Sequence, residues 1–245
     1  MYHFYVEPEA VSADTARITG GDVNHIKNVL RMHPGEEIMI LDGSGMEYRC
    51  EIETISDEVL AKVLEAKKTE AELSVRLLLF QGLPKKDKME LIIQKAVELG
   101  VSEIIPVLTK RTVVKLEDKK KEQKKLERWQ AIAEAAAKQS GRGIIPKVCE
   151  AVKFAEAVKQ AATLDEALIP YELAEGMDEA RERIRGLHSK KTIGIFIGPE
   201  GGFEEEEIAL AANAGIHPIT LGKRILRTET AGLCILSVIM FELEK

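Results

Sequence analysis

Cysteine is scarce and follows no pairing pattern. Cys50, Cys149 and Cys234 are odd in number and show no C-x-x-C spacing, which excludes a disulfide framework and a cysteine-based zinc site. The five histidines are scattered without an H-E-x-x-H, so no metal centre is indicated. No apolar run approaches the ~18–20 residues that a membrane span needs. The first residues, MYHFYVEPEA, lack the basic-then-apolar order of a secretory signal. The nucleotide signatures G-x-G-x-x-G and G-x-x-x-x-G-K-[ST] are also missing. These absences predict a metal-free cytoplasmic protein.

What is present fits a soluble globular chain. It has 245 residues, 45% apolar and 31% charged, enough for one large domain or two small ones with a sizeable core. The net charge of −6 is unevenly spread. Residues 1–72 carry seven basic against fifteen acidic side chains, and Arg76 to Arg128 fourteen basic against eight acidic. A nucleic-acid binder can show its basic footprint as such a patch. Lys119, Lys120, Lys121, Lys124 and Lys125 read more simply as the solvated face of a helix.

The patterning changes near residue 70. Before it, short extended runs (His3–Glu7, Ala16–Thr19, Glu37–Leu41, Glu47–Ile55, Val59–Glu65) surround one helix from Asp22 through Met32, closed by Pro34-Gly35. Asp42-Gly43-Ser44-Gly45 makes a hairpin turn, and the whole suits a small β-barrel. The polar stretch 67–72 reads as a linker. Beyond it strands and helices alternate, predicting a parallel sheet covered on both faces. Strands fall at Ser74–Gln81, Glu103–Leu108, Ile145–Cys149, Asp165–Tyr171, Lys191–Ile197 and His217–Leu221. Helices fall at Asp87–Leu99, Lys119–Gln139, Phe154–Ala161, Met177–Gly186 and Glu204–Asn213, with a last one running from Thr228 to the C-terminus.

Ligands of open α/β sheets bind beyond the carboxyl ends of the strands, and three loops qualify. Ile197-Gly198-Pro199-Glu200-Gly201-Gly202 leaves a buried strand and admits close approach of a ligand to bare backbone. Glu204, Glu205, Glu206 and Glu207 then crowd the first turn of the next helix; they suit the helix dipole and repel a phosphate. A ligand with a positive centre fits better. Leu221-Gly222-Lys223-Arg224-Ile225-Leu226-Arg227-Thr228-Glu229 enters the last helix, with Thr228 as N-cap. Arg224 and Arg227 read equally as substrate contacts or as residues solvated at the surface or salt-bridged to glutamates 204–207. The third loop, Tyr171-Glu172, is weaker.

GPEGGF before acidic helix residues and LGKRILRTETA opening the last helix closely resemble the ribosomal RNA small subunit methyltransferase E family, of the SPOUT superfamily. His25-Ile26, Val29-Leu30-Arg31, DGSG, KMELIIQKAVELGVSEIIP (88–106), RTVVK (111–115) and EAAAKQSGRGIIPKV (134–148) extend the match over the chain. The resemblance implies a PUA-like barrel over 1–72, and a parallel α/β methyltransferase domain over 73–245 with a C-terminal trefoil knot. It implies a homodimer that uses S-adenosylmethionine to methylate N3 of a uridine in 16S ribosomal RNA, within an assembled or nearly assembled small subunit. Carried over by motif, Ile197, Gly198, Pro199, Glu200, Gly201, Gly202, Leu221, Gly222, Ile225, Leu226, Tyr171 and Glu172 hold the cofactor. The expected RNA contacts are Arg31, Lys85, Lys86, Lys88, Arg111 and Arg142.

N3 of uridine stays protonated near neutral pH, so its transfer chemistry needs a base or stabilisation of the developing anion. Arg227 and Glu229 are the candidates, with Glu200 as an alternative base or a structural group bonding loop amides. Two other readings remain open. One is a nucleotide-dependent oxidoreductase, disfavoured by the missing phosphate motifs. The other is a non-catalytic RNA-binding or ribosome-assembly protein, disfavoured by intact cofactor loops.

Overall fold

The computed structural model describes residues 1–113 and 118–244. They divide into two units, Met1–Glu72 with Ala137–Ile145, and Leu73–Ala136 with Pro146–Lys245. The sequence placed all of 73–245 in one domain, whereas the segment 137–145 joins the first unit. No helix among the described residues is long and apolar enough to cross a membrane.

The first unit is built on β1 (His3–Tyr5), β2 (Thr15–Ile18), the one-turn α1 (Gly21–Asn24), β3 (Glu37–Leu41), β4 (Met46–Ile55) and β5 (Val59–Lys68). The sheet order is β1-β3-β4-β5-β2, parallel between β1 and β3 and antiparallel elsewhere. Register shifts at Arg49/Cys50 and Ile52/Thr54 bend β4 against β5, as an extra residue in one strand does. Phe4, Ile18, Ile26, Ile38, Ile40 and Ile52 meet in its core. The expected helix over 22–32 is shorter and less regular. After α1 it runs on as π-helical turns over His25–Leu30 and ends on Arg31 at φ 54°, before Pro34 is reached. The expected linker also starts later, because Lys67 and Lys68 still pair with Glu47 and Met46 in the sheet.

The returning segment 137–145 is fastened by buried polar groups. Arg142, 3% exposed, pairs with the Glu72 carboxylate, which also accepts the Ile144 N–H at 3.1 Å. The Tyr5 hydroxyl donates to the carbonyls of Ala137, at 3.2 Å, and Arg142. Burial, with Glu72 nearby, pushes the Tyr5 phenol well above its ordinary value. The sequence expectation that Arg142 contacts RNA is therefore corrected: its guanidinium is spent on Glu72.

The second unit comprises β6 (Arg76–Gly82), α2 (Lys88–Glu98), β7 (Glu103–Leu108), α3 (Lys119–Ser140, its last turn assigned to the first unit), β8 (Lys147–Val148) and β9 (Val152–Lys153). It continues through α4 (Phe154–Ala161), β10 (Glu166–Pro170), α5 (Met177–Arg185), β11 (Thr192–Ile197), α6 (Glu205–Asn213), β12 (His217–Ile219) and α7 (Thr228–Leu243). Strand order is β12-β10-β11-β6-β7-β8, with β9 beside β7, and every pairing is parallel. Both faces are covered, which explains the unbroken apolar runs. One face packs Phe80, Phe154, Phe196 and Phe203 with α4 and α6; Phe80 and Phe196 stack at 4.5 Å, and Phe154 meets Phe196 edge-on at 5.8 Å. The opposite face receives α7, which packs on α2, α5 and β11.

Candidate functional site

Because the four strands β12, β10, β11 and β6 are parallel neighbours, their carboxyl ends open on one edge. Ile197 is in register with Gln81, and Pro170 with Ile219. The loops that leave those ends surround a cavity of about 490 Å³, within the ~300–1,000 Å³ typical of small-ligand sites. Its lining brings together all twelve cofactor candidates, from Tyr171 and Glu172 through residues 197–202 to Leu221, Gly222, Ile225 and Leu226. Lys88, Pro170, Phe203, Arg224, Arg227, Thr228 and Ala231 complete it.

The glycine loop is held from three sides. Gly202, at φ 68°, closes a turn by donating its N–H to the Pro199 carbonyl at 2.9 Å. Arg111 donates from Nη1 to the Gly201 carbonyl at 2.7 Å and from Nε to Glu204 at 2.8 Å. Glu200 accepts the Lys85 N–H at 3.1 Å and the Lys88 ammonium at 3.2 Å. Burial opposes ionisation of Glu200, but backbone N–H groups and Lys88 outweigh it and hold its carboxyl below the ordinary glutamate range. Lys88 bridges this carboxylate to Glu229, also at 3.2 Å. Partial desolvation works against the Lys88 ammonium, yet the two glutamates hold its pKa above the ordinary value.

Several expectations change here. Lys88 and Arg111, expected on the RNA, are engaged with the loops of the cavity. Arg31, Lys85 and Lys86 are exposed. In the RTVVK segment, Val114 and Lys115 lie outside the described residues. Glu229 does not line the cavity; its carboxylate rests on Lys88 beside it. Thr228 is not the N-cap of α7. Arg227 occupies that position, and Thr228, the first helical residue, directs its hydroxyl to the Gly198 carbonyl at 2.5 Å.

Glutamates 204–207 do not face the ligand space. Glu204 and Glu207 form a reciprocal capping box, Glu207 is buried and accepts the Lys110 N–H at 2.9 Å, and Glu206 pairs with the Lys110 ammonium. Their partners are thus Lys110 and Arg111, and not Arg224 or Arg227. The carboxylates at the cavity are Glu172 and Glu200, so the preference for a positive centre rests on them.

Sequence reasoning missed Gly82. A Cβ built there would lie 2.6 Å from both N and Cδ of Pro199 and 3.0 Å from the Gly198 carbonyl carbon. The glycine loop lies directly on this residue. Its signal was available only as a glycine ending an apolar strand, which many strands share.

Similarity to known proteins follows the same layout. A family model described as an RNA methyltransferase domain matches residues 71–240, and one described as an RNA methyltransferase PUA domain matches 18–64. A ribosomal RNA small subunit methyltransferase E from Bacillus subtilis is 38% identical, covering 100% of this chain and 98% of that relative. One from Synechocystis is 33% identical over 99% of this chain and 78% of the relative. The crystal structure of a ribosomal RNA small subunit methyltransferase E from Neisseria gonorrhoeae, bound to S-adenosyl methionine, superposes with a TM-score of 0.83 at 34% identity, covering 98% of this chain and 97% of that one.

Proposed function

Since the chain belongs to the ribosomal RNA small subunit methyltransferase E family, we propose that it transfers a methyl group from S-adenosylmethionine to small-subunit ribosomal RNA. We read the acceptor as N3 of a uridine in 16S RNA, presented by an assembled or nearly assembled subunit in the cytoplasm. The observation that carries this reading is the meeting of two loops, 197–202 and 221–226, over one cavity at the ends of parallel strands. Gly198 and Gly201 let the loop pack tightly on Gly202, Phe203 and Arg111, and Glu172 and Glu200 on the lining supply negative charge toward a cation. The reading includes the family's trefoil knot in the last strand and helix.

The bound cofactor supplies a methyl group already activated by a sulfonium. This chain's task is to orient the uracil and manage its proton, and alignment of nitrogen with methyl carbon carries much of the rate. Arg227, exposed on the cavity lining, stabilises the negative charge that develops on the ring as N3 loses its proton. Glu200 already accepts from Lys85 and Lys88, so it is a weak proton acceptor and serves to fix the loop. Glu172, which lies exposed on the lining, takes the proton from N3.

The decisive experiment is transfer of tritium from labelled S-adenosylmethionine to small-subunit RNA. Cofactor and RNA binding without transfer would favour the non-catalytic assembly reading, and tight NAD binding in place of S-adenosylmethionine would favour the oxidoreductase. Arg227→Ala is expected to keep cofactor affinity and lose about 10²-fold in turnover, and Glu172→Gln to lose turnover by a similar factor together with part of the cofactor affinity that its charge supplies. Wild-type turnover in both would remove these assignments.

Arg31, Lys85 and Lys86 are our RNA contacts. Replacing Lys85 and Lys86 with alanine should reduce the slope of log affinity against log salt by about one for each phosphate they neutralise. An unchanged slope would take them off the RNA.

We also propose a homodimer through α7. Its stripe Cys234, Val238 and Phe241 is exposed, Phe241 at 81%, although the helix is apolar almost all round. Phe241→Arg should shift the mass measured by light scattering from dimer to monomer. A wild-type monomer across micromolar concentrations would refute the interface.

A further inference from the structure

Gln81 is a polar side chain on a sheet face otherwise made of Leu77, Leu79 and Ile197, and it is 0% exposed. Its Nε2 donates twice, to the Gly82 carbonyl at 2.9 Å and to the Thr228 hydroxyl at 3.0 Å. Its Oε1 has no hydrogen-bond partner among the described residues and lies near Gly232 in α7. Exchanging the amide nitrogen and oxygen would not help, because the oxygen would then face the Gly82 carbonyl, acceptor against acceptor. The orientation is therefore fixed by chemistry, and one buried acceptor goes unmet.

Leaving an acceptor unmet in the core is unfavourable, and a leucine would fill nearly the same space without that penalty. The amide is best explained by what its N–H₂ group does. Because Nε2 only donates, the Thr228 oxygen must accept, and the Thr228 proton is free to go to the Gly198 carbonyl. This gives a chain of fixed polarity from β6 through the first residue of α7 to the first residue of the glycine loop. It ties the two loops of the cavity to each other and to the central sheet.

We propose that Gln81 is a positioning residue for the ligand site, holding Thr228 and Gly198 in the arrangement that receives S-adenosylmethionine. This rests on the reading of the cavity as the cofactor site. Gln81 touches no ligand itself and acts through Thr228, so it sets affinity by pre-organising the loops.

The test uses the full chain and three variants, Gln81→Leu, Thr228→Val and Thr228→Ser. Gln81→Leu removes the unmet oxygen but also the donors to the Gly82 carbonyl and Thr228, so its melting temperature without ligand should stay close to wild type. In calorimetric titration it should bind S-adenosylmethionine about five- to tenfold more weakly. Thr228→Val should weaken binding similarly, and Thr228→Ser, which keeps the hydroxyl, should restore it. Wild-type affinity in Gln81→Leu would overturn the inference, as would a lowered melting temperature with affinity unchanged. If Gln81→Leu does not fold, the valine–serine pair decides, and equal affinities would overturn it. Amide hydrogen exchange in the ligand-free protein separates this inference from the functional reading. Exchange across 198–203 and 228–232 should quicken in Gln81→Leu or Thr228→Val even if the wild type binds some other ligand, and unchanged exchange would refute the chain's role.

Discussion

Gly82→Ala should lose cofactor binding by about 10²-fold or more while the chain still folds. The added methyl would sit 2.6 Å from Pro199 N and Cδ, well inside contact distance, and the obstructing atoms are backbone and a ring with no rotamer to change. Either β6 or the Pro199 loop must move, and the loop is the less buried of the two. A displacement near an ångström in a positioned site costs about that factor in rate, and the loop displaced here is the one that lines the cofactor cavity. Crowding the strand end should also cost about 1–3 kcal/mol of stability, so melts must accompany calorimetry. Binding within twofold of wild type would show that the loop can shift freely and that Gly82 does not set its place.

Arg142→Ala should destabilise the protein by about 3–5 kcal/mol, the usual consequence of stranding one member of a buried ion pair. Glu72 would be left with the Ile144 N–H and no cation, in a site where Arg142 had been 3% exposed. Denaturant unfolding measures this directly. Replacing both Arg142 and Glu72 with apolar residues should recover part of the loss, since the cost lies in the uncompensated charge. A change below about 1 kcal/mol in the single variant, with weaker RNA binding, would instead return Arg142 to the RNA surface.

Those two residues mark where sequence reading reaches its limit. The cofactor loops were legible because strand-to-helix turns carrying Gly-Pro or Leu-Gly announce themselves locally and their neighbours are close in the chain. Arg142 was not, because its partner Glu72 stands seventy residues upstream and an arginine in a Gly-Arg-Gly turn looks like a surface cation. Gln81 and Gly82 were hidden for a different reason. They look like the ordinary end of an apolar strand, and only the register of β6 against β11 brings them under Gly198 and Pro199. The glutamates of α6 were visible, but their i, i+3 spacing from Glu204 to Glu207 signalled a capping box more than a ligand-facing charge. The exposed stripe of α7 could not be separated from its buried sides by composition, since nearly every position is apolar. The regular helix expected over 22–32 failed because apolar spacing alone does not distinguish α from π turns.

The chain visits the first unit twice, once over residues 1–72 and again over 137–145. A single cut between Glu72 and Leu73 would therefore not release a free N-terminal fragment. The severed piece would still be gripped by Arg142 on Glu72 and by Tyr5 on the Ala137 and Arg142 carbonyls, and would stay noncovalently bound to the remainder. Equally, residues 1–72 produced alone would carry a carboxylate and a phenol made to meet a strap they no longer have. The first unit is therefore built from two stretches of chain, and residues 1–72 alone do not make it up.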